Sequence, residues 1–167
     1  NRADRFNDPG KFTALIGYEW TSGANAGNLH RVVIFKDKAS ISGKIVPFSS
    51  YDSLKPEDLW KWMGEYKKQT KGDVLAIPHN GNLSNGLMFA VEDSYGAPFT
   101  SDYAKTRALW EPLYEVTQYK GDAETHPLLS PSDEFADYET WDKGNFGTEA
   151  KKEWMLQYEY ARSALKL

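Results

Sequence analysis

Hydrophobic residues in the first half of the chain fall into short runs, each bounded by polar or glycine-rich segments. Residues 12–19 and 29–35 are rich in aromatic and branched residues and are separated by a loop of Gly, Asn, Ser and Thr. Residues 74–77 form a shorter, wholly apolar run. Such runs are typical of β-strands, and a wholly apolar run is typical of a strand buried on both faces. A further strand is predicted at 113–117, and a short extra strand within 36–50.

Helical patterns alternate with these runs. Residues 56–68 begin with Pro and two acids, end with lysines and carry an apolar stripe, which predicts a helix. Residues 101–109 predict a second helix, and a cap followed by Pro predicts a short helix starting at Ser130. Residues 148–165 predict the longest helix, with one apolar face. Strands that alternate with helices after residue 50 predict βαβ units, a largely parallel sheet and an α/β fold class.

Composition narrows the class of protein. The 167 residues predict one domain, and 40% hydrophobic residues predict a folded core. A net charge of −4 without a basic stripe argues against nucleic acid as the main partner. No apolar run reaches the roughly 18 residues of a membrane span, so we expect a soluble protein, either cytoplasmic or periplasmic. Because the chain has no cysteine, any metal must be held by imidazole, carboxylate or water.

Among the three histidines, His79 has the most informative position. It directly follows the apolar run 74–77 and begins a loop rich in Asn and Gly. In β/α folds the carboxyl ends of strands face the active site, and such a loop allows close approach to a ligand. The alternative is a turn histidine that is hydrogen-bonded to a loop carbonyl.

Glu19 and His30 occupy the ends of the first two predicted strands. Glu19 lies between two aromatic residues, where a buried carboxylate needs a cation, an Arg or solvent. Neighbouring strand residues face opposite sides, so if His30 points into a site, Arg31 points away and is structural. A solvent-facing Glu19 and a packed, hydrogen-bonded His30 are the alternatives.

A looser cluster follows the strand predicted at 113–117. Glu115, Glu124 and His126 are all candidate ligands or acid/base groups. Glu115 could equally be a buried, hydrogen-bonded carboxylate. The pattern leaves open whether His126 lines a site.

Several segments resemble a family of large bacterial proteins related to the PHP superfamily, named for polymerase and histidinol phosphatase domains. The resemblance runs through nearly the whole chain. The segments that carry it most clearly are Gly17-Tyr-Glu-Trp-Thr-Ser, Asn28-Leu-His-Arg-Val-Val-Ile-Phe, Ile77-Pro-His-Asn-Gly-Asn-Leu-Ser-Asn-Gly and Glu115-Val-Thr-Gln.

The resemblance implies a distorted β/α barrel that holds two or three divalent ions of zinc, manganese or iron. The Gly-x-Glu motif of that superfamily falls on Glu19, and its mid-chain histidine ligands fall on His30 and His79. His126, Asn80 and Asn82 are then expected as secondary, catalytic residues of the same site.

Two other motifs of that superfamily, His-x-His and Asp-x-His, do not occur in this sequence. Because both flanking motifs are absent, the chain resembles the middle portion of such a protein, with residues 1–167 as a single segment of the domain. Remaining segments of the same protein, or a second chain, are expected to complete the barrel and the site.

These features together predict a metal-dependent hydrolase of small molecules, most simply of phosphate esters, that uses a metal-activated hydroxide. One alternative is a catalytically inactive module on the same scaffold that binds a ligand or a partner chain. Another is an amidohydrolase-like enzyme on a similar barrel. Metal content separates the inactive module from the enzymes, and substrate profiling separates the two enzymes.

Overall fold

The computed structural model describes residues 2–141, 147 and 151–167. In chain order the elements are α1 (Arg2–Phe6), β1 (Ile16–Trp20), β2 (Arg31–Phe35), α2 (Ala39–Ser42), α3 (Pro56–Thr70), β3 (Val74–Pro78), α4 (Ser101–Trp110), β4 (Thr117–Gln118), β5 (Gly121–Asp122) and α5 (Ala161–Ala164). Short 3-10 turns lie at Ala24–Ala26, Gly81–Leu83 and Glu153–Tyr158. Strands β1, β2 and β3 form one sheet in that order, and β4 pairs with β5.

One face of the three-stranded sheet packs against α3 and forms the hydrophobic core. We call it the core face; it carries Trp20, Arg31, Val33, Phe35, Val74 and Ala76, and from α3 it receives Leu59, Trp60, Met63 and Tyr66. Helix α3 begins at a proline with two acids in its first turn and has two lysines in its last turn. These charges oppose the partial charges of the helix ends, so local sequence and core packing favour the same helix.

The opposite face of the sheet is only partly buried. Because side chains alternate along a strand, this face carries Glu19, His30, Val32, Ile34, Leu75, Ile77 and His79, and we call it the open face. Its aliphatic residues are half-buried. The strand formed by the apolar run 74–77 therefore has one buried face and one half-buried face. The prediction that this strand is buried on both faces is wrong.

The predicted parallel pairing is wrong. Both β1 with β2 and β2 with β3 pair antiparallel. Apolar runs indicate strands but carry no information on their relative direction, so alternation with helices was an insufficient guide. The described residues mix helices and strands, as predicted for an α/β chain, and they contain no closed barrel.

Two of the predicted helices are confirmed, as α3 and α4. The extra strand predicted within 36–50 is wrong, since this segment contains the short helix α2. The strand predicted at 113–117 is also largely wrong, because only Thr117 enters a strand, in the β4–β5 hairpin. Residue Glu115 nevertheless donates its backbone N–H to the carbonyl of Pro78, at 3.1 Å, and so borders the end of β3.

The two helices predicted near the C-terminus do not form as expected. Ser130 begins a series of turns and no helix. For the helix predicted at 148–165, residues 148–150 lie outside the described residues, and the described part is divided into a 3-10 turn and α5. The division falls at Glu159, whose buried carboxylate pairs with Lys151 at 2.9 Å and accepts the N–H of Gly86 at 3.3 Å. Among the described residues, no helix combines the length and apolarity needed to cross a membrane.

Candidate metal site

Three predicted ligands lie together at one end of the open face. Glu19, His30 and His79 each offer a ligand atom, and these atoms all lie within 4.8 Å of one another. Oε1 of Glu19 is 2.8 Å from Nδ1 of His30 and 3.5 Å from Nε2 of His79. The two imidazole rings are nearly perpendicular, with centroids 5.9 Å apart. The three side chains therefore surround one point.

Strand register explains this convergence. Trp20 pairs with Arg31, and Arg31 in turn pairs with Pro78. Side-chain alternation then directs the residues next to them, Glu19, His30 and His79, to the other face. The backbone N–H of His79 donates to the carbonyl of His30 at 3.4 Å, so the hydrogen bonding between β2 and β3 continues one residue beyond the end of β3.

The loop before β2 also positions His30. The backbone N–H of His30 donates to Oδ1 of Asn28 at 3.0 Å, and Asn28 is fully buried. On the core face, Arg31 donates through Nε to Oε1 of Glu111 at 2.9 Å. Arg31 is thus held structurally on the side away from the cluster, as its alternation with His30 predicted.

Burial has the largest effect on the pKa of His30 and lowers it below the usual value. The charge of Glu19 acts in the opposite direction, whereas the charges of His79 and Lys120 add to the lowering. The net lowering favours neutral imidazole, which is the form that coordinates a metal.

The loop after β3 is held in place by Tyr114 and by the C-terminal segment. The N–H of Gly81 donates to the hydroxyl oxygen of Tyr114 at 3.1 Å. A Cβ at Gly81 would collide with this hydroxyl and with the carbonyl of Glu159, so only glycine fits. Nζ of Lys151 donates to the carbonyl of Asn82 at 2.6 Å and pairs with Glu159. These contacts fix the backbone that follows His79.

The predicted secondary residues occupy different positions. Asn80 is buried next to His79 with φ of 54°, and neither its amide nitrogen nor its amide oxygen has a hydrogen-bond partner among the described residues. Asn82 is buried and donates to the carbonyls of Lys120 and Trp141, at 3.0 and 3.2 Å. Asn80 therefore has capacity for a ligand, whereas Asn82 joins the loop to the β4–β5 hairpin.

His126 is not among the three clustered residues. Its Nδ1 accepts the N–H of Leu128 at 3.2 Å, and its ring packs beside Tyr160 with centroids 5.5 Å apart. The two carboxylates predicted together with His126 also have protein partners. Glu115 accepts from Gln118 at 2.9 Å, and Glu124 pairs with Arg162. Each member of the predicted Glu115, Glu124 and His126 group therefore has a protein partner, and the catalytic role of His126 stays a prediction.

Two residues at the site were not identified from the sequence. Asn28 supports His30 through the hydrogen bond described above, and its position two residues before a histidine in a loop was a usable signal. Lys120 lies in the β4–β5 turn, and its charge acts on His30 although 90 positions separate them in the sequence. Only the folded chain brings these two together.

The donor set fits a divalent transition metal. Two imidazoles and one carboxylate are ligands that zinc, manganese and iron accept. Ligand atoms about 2.1 Å from a tetrahedral ion lie ~3.4 Å from each other. The two contacts of Glu19, at 2.8 and 3.5 Å, are close to this spacing, and all three ligand atoms lie within 4.8 Å of one another.

Comparison with known proteins identifies the family of this chain. A family model described as a protein of unknown function (DUF3604) matches residues 1–167. The chain therefore belongs to the DUF3604 family. No match was found among curated proteins or among solved structures.

Proposed function

We propose that this protein is a metal-dependent hydrolase of phosphate esters, in which Glu19, His30 and His79 hold a divalent metal ion. The convergence of these three side chains on one point is the observation that carries the proposal. It is supported by the identity of the ligands, two imidazoles and a carboxylate, and by a cluster that is partly accessible, with 48% of the Glu19 side chain exposed. A substrate can approach such a site from solvent.

A bound divalent ion would lower the pKa of a coordinated water and stabilise charge that develops on a phosphoryl oxygen. The protein contributes the geometry around it. Asn28 fixes the backbone of His30, and Lys151 and Tyr114 fix the loop that follows His79. Asn80 offers a buried amide beside His79, which can donate to or accept from a substrate oxygen. Lys120 adds positive charge near His30 and so favours an anionic substrate.

The proposal includes the relation to the PHP superfamily. A regular β/α barrel has parallel strands, so the antiparallel β1, β2 and β3 restrict this relation to a distorted barrel. Three ligands are also few for a site with two or three ions. We therefore propose that other segments of the same protein, or a second chain, complete both the barrel and the ligand set.

The test uses the full-length protein, stripped with a chelator and reloaded with zinc, manganese or iron. We expect a divalent metal near stoichiometry by elemental analysis and metal-dependent hydrolysis of simple phosphate esters. His79→Ala should reduce both. His126→Asn serves as the control, because its Oδ1 can still accept the N–H of Leu128, and it should retain the metal.

Each alternative has its own outcome. Native protein that binds no stoichiometric divalent metal and hydrolyses neither phosphate esters nor amides would favour the inactive ligand- or partner-binding module. Hydrolysis of amides in preference to phosphate esters would favour the amidohydrolase-like enzyme. Full metal content and full activity in His79→Ala would refute the assigned site.

A further inference from the structure

A cavity of about 460 Å³ adjoins the candidate metal site. It shares His30 with the cluster, and its other lining includes Thr21, Ser50, Tyr51 and Leu54. Its volume lies in the range of small-molecule sites, roughly 300–1,000 Å³. A substrate whose reacting group lies at Glu19, His30 and His79 would extend its remaining part into this space.

Tyr51 lines this cavity and belongs to a turn that is closed by hydrogen bonds. Tyr51 is 100% exposed and therefore contributes no buried area to the fold. Both the N–H and the hydroxyl of Ser49 donate to Oδ2 of Asp52, each at 2.8 Å, and the N–H of Asp52 donates back to the carbonyl of Ser49 at 3.0 Å. This reciprocal bonding fixes the turn that presents Tyr51. A fully exposed aromatic ring on an ordered turn is available for a ligand.

The same segment is also anchored to the loop that follows β1. The hydroxyl of Ser22, which is fully buried, donates to the carbonyl of Leu54 at 2.7 Å. Thr21 and Ser50, which flank the cavity, lie next to these anchored positions. The cavity wall is therefore built from two segments that are held together through a partly buried hydrogen bond.

The chemistry of the lining indicates what it would bind. Thr21, Ser50, Tyr51 and Leu54 carry no charge, so the part of the substrate that they contact is neutral. An aromatic face and an aliphatic side chain suit a flat group with apolar C–H faces. Two aliphatic hydroxyls suit a group whose edge carries hydrogen-bond donors and acceptors. A cyclic polyol, such as a sugar ring, combines both properties.

We propose that this cavity binds the alcohol part of the substrate, and that this part is a cyclic polyol stacked on Tyr51. The proposal rests on the proposed function, because the phosphate of the same ester would lie at the metal cluster. The substrate class is then a phosphate monoester of a sugar or cyclitol.

The first experiment measures binding without chemistry. Full-length protein kept metal-free by chelator is mixed with glucose 1-phosphate, galactose 1-phosphate or myo-inositol 1-phosphate, and saturation transfer to the ring protons is recorded by NMR. We expect transfer to at least one of them with the native protein and with Tyr51→Phe, and its loss in Tyr51→Ala. Tyr138→Ala is the matched control, since Tyr138 is also an exposed tyrosine and does not line this cavity.

The second experiment measures specificity in the metal-loaded protein. In Tyr51→Ala, kcat/KM for the polyol phosphate should fall about tenfold more than kcat/KM for methyl phosphate, which has no ring to stack. If kcat/KM for 4-nitrophenyl phosphate falls as much as kcat/KM for the polyol phosphate, the polyol assignment is overturned, because the nitrophenyl ring has no hydroxyl groups.

The outcomes separate this proposal from the proposed function. No saturation transfer to any of the three ligands, or equal transfer in Tyr51→Ala, would overturn the polyol site. Transfer that depends on Tyr51, without metal-dependent hydrolysis, would support the polyol site and refute the phosphoesterase. Circular dichroism of each variant confirms folding, which a fully exposed side chain should not affect.

Discussion

The core face and the open face of the three-stranded sheet carry ionisable residues at neighbouring positions. These residues differ between the two faces in their burial and in their partners. On the core face, Arg31 and Glu111 have side chains only 1% and 2% exposed, and Glu111 also accepts from Trp60 and Arg107. On the open face, Glu19 is half-exposed and lies next to two histidines.

The difference distinguishes residues that hold the fold from residues that are available to a ligand. A charge enclosed by protein must find all its partners inside, as Glu111 does. Burial alone would raise the pKa of Glu111, but the charges of Arg31 and Arg107, together with hydrogen bonds from Arg31 and Trp60, lower it below the usual value. In the open-face cluster, one oxygen of Glu19 faces a nitrogen of each histidine, so a cation bound there would accept lone pairs from all three groups.

The largest expected effect is on the core face. Glu111→Ala would leave Arg31 and Arg107 without their shared carboxylate, and we expect the free energy of unfolding to fall by about 3–5 kcal/mol. Denaturant unfolding of metal-free protein measures this. The control is Glu65→Gln, which removes only an exposed ion pair with Lys68, 4.0 Å long, and should change stability by less than about 0.5 kcal/mol. Equal effects for the two variants would contradict the structural role of Glu111.

The second prediction concerns Glu19 on the open face. Glu19→Gln removes a metal ligand, so metal affinity should fall by at least ~100-fold, since even outer-shell changes lower affinity 10–100-fold. The unfolding free energy of the metal-free variant should change by less than about 0.5 kcal/mol, because the side chain is half-exposed. Competition with a chromophoric chelator measures the affinity. Unchanged affinity would remove Glu19 from the ligand set.

The third prediction compares adjacent residues of β2 with the same substitution. Val33 is 0% exposed on the core face, and Val33→Ala should destabilise by about 2 kcal/mol through lost burial and a residual cavity. Val32 is half-buried on the open face, and Val32→Ala should destabilise by less than about 1 kcal/mol. Denaturant unfolding measures both losses, and equal losses would contradict the different burial of the two faces.

The smallest expected effect is produced by pH. Because metal binding requires neutral imidazole, lowering the pH to about one unit below the pKa of a ligand histidine should weaken metal binding about tenfold. For His30, metal binding should weaken only at a pH below the ordinary histidine pKa of about 6.5, since burial lowers the pKa of this residue.

The core ion pair responds at lower pH. The pKa of Glu111 is lowered in the folded state, so its contribution to stability is present above the unfolded value of about 4.3 and is lost as pH falls through the folded value. Between these ranges the protein should release metal while it remains folded. Metal release and circular dichroism recorded over one acid titration test this, and simultaneous loss of both signals would contradict it.

The chain pattern by itself determined the local features. The acids, proline and lysines of residues 56–68 predicted α3, because helix ends and an apolar stripe are encoded within a few residues. The apolar run before His79 predicted β3, and Glu19 at the end of β1 was identified as a carboxylate that needs a partner. Alternation around His30 also predicted that Arg31 would face the other way, which its contact with Glu111 confirms.

Only the tertiary structure decided strand direction and the partners of these residues. The register of β1, β2 and β3 brings Glu19, His30 and His79 within 4.8 Å of one another, although 60 positions separate Glu19 from His79. The tertiary structure also pairs Arg31 with Glu111, and it places His126 in a separate turn. A sequence pattern records which residues prefer to be buried and with what period. It does not record which strands pair or in which direction, since that depends on the packing of the whole sheet against α3.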